Sequence, residues 1–438
     1  MRQKIREIIT SWWSGPLPEI YPRHTDLTRL FTGAVRKTLA VVGFRRVGKT
    51  FLLLDFAKKH GQKNCVYLNF EDDRLPKTIE TLSALAEAVT ELRGHTSTVL
   101  LMDEIQEIPD WSRWVRRMNE TTPHRLIISG SSSRLSSAEL PTELRGQTMT
   151  VPVYPLTWQE YLEFLHLDRT ALPQAIVSGH LRNYLTYGGL PEIVLSEEGI
   201  KPHILSDYYR SFVDHDIVER FKLRKRETLT DLLRLLPSTR TFTYSKLANT
   251  LKSLGHKTTK DTVIRYLDWI GQTYFFAYLD TYHPSARKRI QSPKKSYLID
   301  NYFTSFYGNV SSGNIGHLME QAVFHELQRR CGANPSHRLY YWKDFSGHEV
   351  DFVVTKNQDV QELIQVSYIS QKHEIAGREI DGLVKAAKQL EINRTTLVTW
   401  DYEDVMKVKN ITVMCRPLEV WLQAAGQDYS PNAPTNIL

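Results

Sequence analysis

An apolar strand, a glycine-bracketed basic loop and an apolar helix follow one another within residues 36–56, and that succession restricts the chain more than anything else in it. Leu39–Val42 is short, apolar and β-branched; Gly43-Phe44-Arg45-Arg46-Val47-Gly48-Lys49-Thr50 fills the pattern G-x-x-x-x-G-K-[ST]; Phe51–Phe56 continues as a helix face. The spacing has a physical reason. Two glycines let the backbone curl round an anion with no Cβ in the way. The N–H groups of Gly43, Arg46, Val47, Gly48, Lys49, Thr50 and Phe51, gathered at a helix start, are then available to phosphate oxygens. Lys49 reaches the β- and γ-phosphates as a point charge, and the Thr50 hydroxyl sits on Mg²⁺. ATP with Mg²⁺ is the ligand this stretch predicts.

A second run completes the chemistry. Thr98–Met102 is continuously apolar after its first residue, as a buried parallel strand should be, and it ends on Asp103-Glu104, where open α/β sheets bind ligands. Asp103 is assigned to Mg²⁺, directly or through water, and Glu104 to orienting and deprotonating the attacking water. A further strand, Arg125–Ser129, ends in Gly130-Ser131, which makes Ser129 and Ser131 candidates for sensing the γ-phosphate. Arg134, just before LSSAELPTELRGQT, and Arg145, within it, are the candidates for transition-state charge, in cis or across a subunit contact of a homo-oligomer. Strand and helix alternate from 36 to 153, which predicts an α/β domain with a doubly wound parallel sheet.

The 438 residues suffice for about three domains. No run of about 18 apolar residues occurs, and the opening MRQKIREIITSWWSGPL is too short and interrupted for a signal peptide, so a cytoplasmic protein without a membrane partner is expected. Cys65, Cys331 and Cys415 are widely spaced and suggest neither zinc nor a disulfide framework. A formal charge of +7, with basic runs at 220–226 and 287–295, leans towards a polyanionic partner.

Residues 1–157 are read as the nucleotide domain and 158–236 as a helical connector, broken by YGGLP at 187–191 and containing an aromatic amphipathic helix over 208–221. Asp214-His215-Asp216 in that helix faces different sides and is read as core and surface rather than a metal trio. Residues 237–310 carry helices at 244–254 and 259–274, then strands at 278–282 and 296–300 around the basic tip 287–295. That is a winged-helix pattern, with double-stranded DNA as a candidate partner through residues 257–295 and protein docking as the other use of such a module.

Residues 311–425 follow the PD-(D/E)xK order, before a tail at 426–438. Glu320 lies on a helix, Asp351 on a strand, and the E-x-K place on the next strand holds Gln365-Val366-Ser367. Gln365 brings no charge to a metal and Ser367 cannot activate water as lysine would, so the reading is a nuclease-like α/β domain without catalysis.

With these pieces placed, the chain resembles a prokaryotic family of P-loop ATPases in which an AAA-type domain is followed by a C-terminal domain of unknown function. The matching stretches are GFRRVGKT (43–50), LNFEDDR (68–74), VLLMDEIQEIPDW (99–111), SGSSSRLSSAELPTELRGQT (129–148), PLTWQEYL (155–162), YGGLPEIV (187–194), SYLIDNYF (296–303) and GHEVDFVV (347–354). The resemblance implies an additional-strand P-loop NTPase core, Mg-ATP as ligand, and a winged helix with a restriction-endonuclease-like tail. Where similar sequences often read Arg-Asp-Ile, this chain has His215-Asp216-Ile217, and no role is carried there. The expected function is ATP hydrolysis that rearranges the later domains on a partner, with DNA as the candidate. The alternatives are an ATP-regulated nuclease, a nucleotide-gated docking module with negligible turnover, and a P-loop kinase.

Overall fold

Five apolar runs of the first third become five strands: β1 Thr38–Val42, β2 Cys65–Asn69, β3 Val99–Asp103, β4 Arg125–Gly130 and β5 Thr148–Pro152. The structure is a computed structural model that describes all residues except 33–35, 95, 132–143, 145, 224–225, 309–314 and 428–438. The five strands pair in parallel in the order β2-β3-β4-β1-β5. Every residue of β1 and β3 is buried, as expected where helices cover both faces of a parallel sheet. β4 separates β1 from β3, so the chain's phosphate-loop strand and its acid-tipped strand have one strand between them.

The chain divides into two compact units, Met1–Tyr154 with Gln272–Tyr274 and Pro155–Gly271 with Phe275–Leu438. In the first, the helix Arg2–Ser14 packs on the helix Ile79–Arg93, and its Ile5 and Ile9 are fully buried in the sheet's core. Each such burial contributes about 1.5–3 kcal/mol.

The second unit opens with the helix Trp158–Phe164. Its N-terminus is a capping box: the Glu160 N–H donates to the Thr157 hydroxyl at 3.1 Å, and the Thr157 N–H to the Glu160 carboxylate at 2.9 Å. Helices Gln174–Tyr187, Pro191–Leu195 and Lys201–Ser211 follow, the last running on through π-helical turns at Phe212–Glu219. Three separated motifs meet here. The Gly189 N–H donates to Asp300 Oδ2 at 2.7 Å, the Tyr302 N–H to Asp300 Oδ1 at 2.9 Å, and Arg329 donates to the carbonyls of Pro155 and Leu156 at 2.8 and 3.3 Å.

Burial pushes the Asp300 carboxyl up to about 6, against the pull of the Gly189 and Tyr302 N–H groups and of Arg329. The folded state therefore holds this proton more tightly than the unfolded chain. Its stabilising contribution is complete below the ordinary value of 3.8 and is lost as pH rises through about 6. Asp300→Asn should flatten that part of the stability curve, which changes by at most about 1.4 kcal/mol per pH unit per group. Melting curves between about pH 4 and about pH 7 check this; an unchanged slope in the variant removes Asp300 as its source.

Next come the helices Tyr244–Ser253 and Lys260–Gln272 and a small antiparallel sheet of β6 Thr241–Phe242, β7 Phe276–Leu279 and β8 Lys294–Leu298, in the order β6-β8-β7. This corrects the strand positions read from sequence. β7 begins at Phe276 rather than Tyr278, β8 at Lys294 rather than Ser296, and the helix Ala286–Gln291 lies between them. Lys294 and Lys295 are thus strand residues, 4% and 5% exposed, and not part of a solvated basic tip. Acidic partners from distant segments hold them there, which local sequence cannot reveal.

A mixed six-stranded sheet completes the unit: β9 His337–Lys343, β10 Glu349–Lys356, β11 Asp359–Val366, β12 Arg394–Thr399, β13 Asp404–Val408 and β14 Ile411–Pro417, ordered β13-β14-β12-β11-β10-β9. β9, β10 and β11 are antiparallel; β11, β12 and β14 run parallel; β13 is antiparallel to β14. The helix Ile315–Ala333 packs on β9 and β11, and Gly377–Gln389 on β10, β11 and β12.

Candidate functional site

The loop after β1 is shaped by close approach. A Cβ on Gly43 would lie 2.3 Å from the Val153 carbonyl oxygen, so only glycine lets the backbone pass. Gly48, at φ 96° and ψ 22°, caps the helix Lys49–His60 in the left-handed region, and Arg46 before it has φ 66°. Arg23 clasps the loop from outside, donating to the carbonyls of Val47 and Tyr154 at 2.9 Å each.

Lys49 is only 5% exposed. An ammonium so deep needs acceptors, because burying it alone would be prohibitive. It has the carbonyls of Gly43 and Phe44 at 3.3 and 3.1 Å, and Glu104 Oε1 at 3.8 Å.

Asp103 is fully buried at the end of β3, and three hydroxyls converge on it. Thr50 donates to Oδ2 at 2.7 Å, Tyr67 to Oδ2 at 2.9 Å, and Ser129 to Oδ1. Burial and the neighbouring Glu104 charge raise its carboxyl above the usual range despite these donors. The Tyr67 phenol is pushed up in turn, by burial first and then by Asp103.

Successive strand residues point to opposite faces, so Asp103 and Glu104 should diverge. The backbone prevents this. Glu104 takes φ 52° and ψ 44°, ending the strand with a left-handed turn, and its carboxylate comes back to the same loop. There it accepts the Ser131 N–H at 3.1 Å and the Gln106 amide, while its own N–H donates to Ser129 Oγ at 3.3 Å. Burial opposes its ionisation, but Lys49, Gln106, the Ser131 N–H and Arg45 outweigh that and hold it below the usual carboxylate range.

The structure thus brings together Gly43, Gly48, Lys49, Thr50, Asp103, Glu104, Ser129 and Ser131. Arg46 is exposed, Val47 is buried with its carbonyl on Arg23, and the Phe51 side chain is 47% exposed, leaving only its backbone to the loop. Arg134 and Arg145 lie outside the described residues. Sequence reasoning missed Arg23, Tyr67 and Gln106. Tyr67 had a signal: it shares a strand face with Asn69, which pairs with Asp103. Arg23 had none, since its loop contact spans distant sequence.

Elsewhere, in the second unit, Glu320 and Asp351 also meet, and both touch Lys295. Gln365 accepts the Asp351 N–H at 3.1 Å, and Ser367 donates to Glu379 at 2.9 Å. Asp214, His215 and Asp216 do not converge: Asp214 pairs with Arg226, His215 faces Glu219 at 2.9 Å, and Asp216 is buried.

A five-stranded parallel sheet in this order, with a glycine loop running into a helix after β1, defines an α/β P-loop NTPase. In agreement, residues 35–162 match the family described as an AAA domain, while 178–304 and 315–418 each match a domain of unknown function. An uncharacterized protein of Methanocaldococcus jannaschii, MJ1544, is 32% identical over 380 residues, 84% of this chain and 82% of that one. The chain belongs to the same family, one of prokaryotic P-loop ATPases with an AAA domain. An uncharacterized protein of Haemophilus influenzae is 27% identical over 337 residues, 75% of this chain and 82% of its own length. Among solved structures, the Walker-type ATPase paby2304 of Pyrococcus abyssi aligns with a TM-score of 0.45 at 14% identity, covering 66% of this chain and 96% of that one. Among the described residues, no helix is long and apolar enough to cross a membrane.

Proposed function

We propose that this chain hydrolyses ATP to ADP and phosphate with Mg²⁺, and that turnover rearranges the domains after residue 157 on a partner. One observation carries the reading: Lys49, Thr50, Asp103 and Glu104 come from separate segments to one loop mouth, with Thr50 Oγ1 2.7 Å from Asp103 Oδ2 and Lys49 Nζ 3.8 Å from Glu104. An oxygen-only pair, one hydroxyl and one carboxylate, suits Mg²⁺, which takes few protein ligands and shares the rest among phosphates and water. Thr50 and Asp103 would hold it, and bound there it would neutralise charge on the phosphate oxygens.

The protein's own part follows from the geometry. The loop N–H groups and Lys49 bind the triphosphate, Lys49 exchanging its carbonyl partners for phosphate oxygens. Glu104, kept ionised by its neighbours, takes a proton as water oxygen bonds to the γ-phosphorus and the bond to ADP breaks. Gln106 and the Ser131 N–H position that carboxylate. Ser129, bonded to both acidic residues, is placed to respond to the γ-phosphate. Arg134 or Arg145 supplies charge in the transition state, within one chain or across a homo-oligomer.

For the later domains, the helices 244–253 and 260–272 with their three-stranded sheet support a winged helix, and the six-stranded sheet with helix 315–333 supports a nuclease-like fold. Lys257, Lys260, Arg265, Arg287 and Lys288 are exposed and favour double-stranded DNA as the partner. The test of the central claim is phosphate release by the purified chain with no acceptor present, in Mg²⁺ and in EDTA. Release only with Mg²⁺ is expected; none under either condition would reduce the site to binding alone.

A further inference from the structure

A lysine that never entered the nuclease-like motif fills its centre. Lys295, on β8, has its ammonium 3.0 Å from Glu320 Oε1, 2.8 Å from Glu349 Oε1 and 2.7 Å from Asp351 Oδ1. Three carboxylates from the helix Ile315–Ala333 and from alternate positions of β10 thus surround one positive charge that is 5% exposed. Tyr297 also donates to Glu320 Oε1, at 2.7 Å. His317, nine-tenths buried, directs Nδ1 towards Glu320 Oε2 at 3.9 Å. The group lies in the wall of a polar cleft of about 950 Å³.

Three carboxylate oxygens converging on one point, with the His317 imidazole beside one of those carboxylates, form a donor set for a hard or borderline divalent cation. The distances found are those of N–H···O bonds, a few tenths of an ångström longer than Ca²⁺–O or Mn²⁺-like contacts. Among the described residues no trio of His, Cys, Asp or Glu is arranged to hold a metal ion, and here the Lys295 ammonium lies among the three carboxylates.

We propose that Lys295 is a tethered substitute for a divalent cation, closing a latent metal site formed by Glu320, Glu349 and Asp351, with His317 as a fourth donor. The site stands apart from the ATP reading, since all its residues belong to the second unit. Its consequence is a nuclease-like cleft that a free divalent cation enters only by displacing a tethered ammonium, whose effective concentration at the three carboxylates does not fall on dilution. The lysine missing from the E-x-K place is therefore not simply lost; one has arrived from β8 and sits where metal would.

The test compares full-length wild type with Lys295→Ala, both without nucleotide, by Mn²⁺ titration read by electron paramagnetic resonance and by melting curves. The variant should bind about one Mn²⁺ more per chain than wild type, at least roughly 10-fold more tightly than any background, and should be stabilised by Mn²⁺ where wild type is not. Adding Asp351→Asn to Lys295→Ala should abolish both gains. No extra Mn²⁺ in a folded Lys295→Ala overturns the proposal. If Lys295→Ala folds only when Mn²⁺ is supplied, the proposal is supported. If it folds under neither condition, wild type decides: Mn²⁺ bound there and lost in Asp351→Asn overturns it, and no such loss upholds it. Mn²⁺-dependent plasmid cleavage by wild type that disappears in Lys295→Ala would make Lys295 a working residue and overturn it as well.

Discussion

Glu104→Gln should lower phosphate release by roughly 10²–10⁴-fold while ATP still binds. The substitution keeps size and shape and removes only the charge and the ability to accept a proton. In the structure that carboxylate is held ionised by Lys49, Gln106 and the Ser131 N–H, an environment suited to taking a proton from water. It also holds Lys49 at 3.8 Å. Neutralising it frees the ammonium for phosphate, so affinity should stay level or rise. Single-turnover phosphate release alongside binding of a fluorescent ATP analogue separates the two effects. Wild-type turnover in this variant would remove Glu104 from its role, and a parallel loss of binding would recast it as part of the loop's scaffold.

Lys49→Ala should weaken ATP binding by roughly 10- to 100-fold, the worth of a charge-assisted hydrogen bond, and bring turnover below detection. Its ammonium is nearly sequestered, held by the Gly43 and Phe44 carbonyls, and it is the cation that most opposes the effect of burial on Glu104. Removing it therefore also makes Glu104 harder to ionise, so residual turnover should shift towards higher pH. The fold should survive, because the lysine is no part of the apolar core. A titration with the ATP analogue, a pH profile of any remaining activity and a melting curve together check this. Affinity equal to wild type in a folded Lys49→Ala would place the phosphates somewhere other than this loop.

Both outcomes rest on residues that local pattern could find. The strands around the loop were legible because a parallel strand covered on both faces is expected to be continuously apolar, and 39–42 and 99–102 are. The loop was legible because glycine spacing answers to backbone sterics that do not depend on the rest of the fold. β9, β13 and β14 were not foreseen. Their burial alternates or is partial, as suits edge and antiparallel strands, and short runs of that kind do not separate from loops by pattern. The basic segment 287–295 was read as one solvated tip for the same reason: nothing within it distinguishes the exposed Arg287 and Lys288 from the buried Lys294 and Lys295.

What the sequence determined by itself is the chemistry that short spacing encodes: a phosphate loop ahead of a helix and an acid pair ending an apolar strand. Only the tertiary structure decided how Glu104 turns back beside Asp103, how Tyr67 and Arg23 join the loop's surroundings, and that Lys295 enters the cluster of Glu320, Glu349 and Asp351. The reason is the range of the forces involved. Backbone sterics and side-chain periodicity act over a few residues and leave their mark in adjacent letters, whereas a buried charge is settled by whichever partners the folded chain brings within about 3–4 Å, however far apart they stand in sequence.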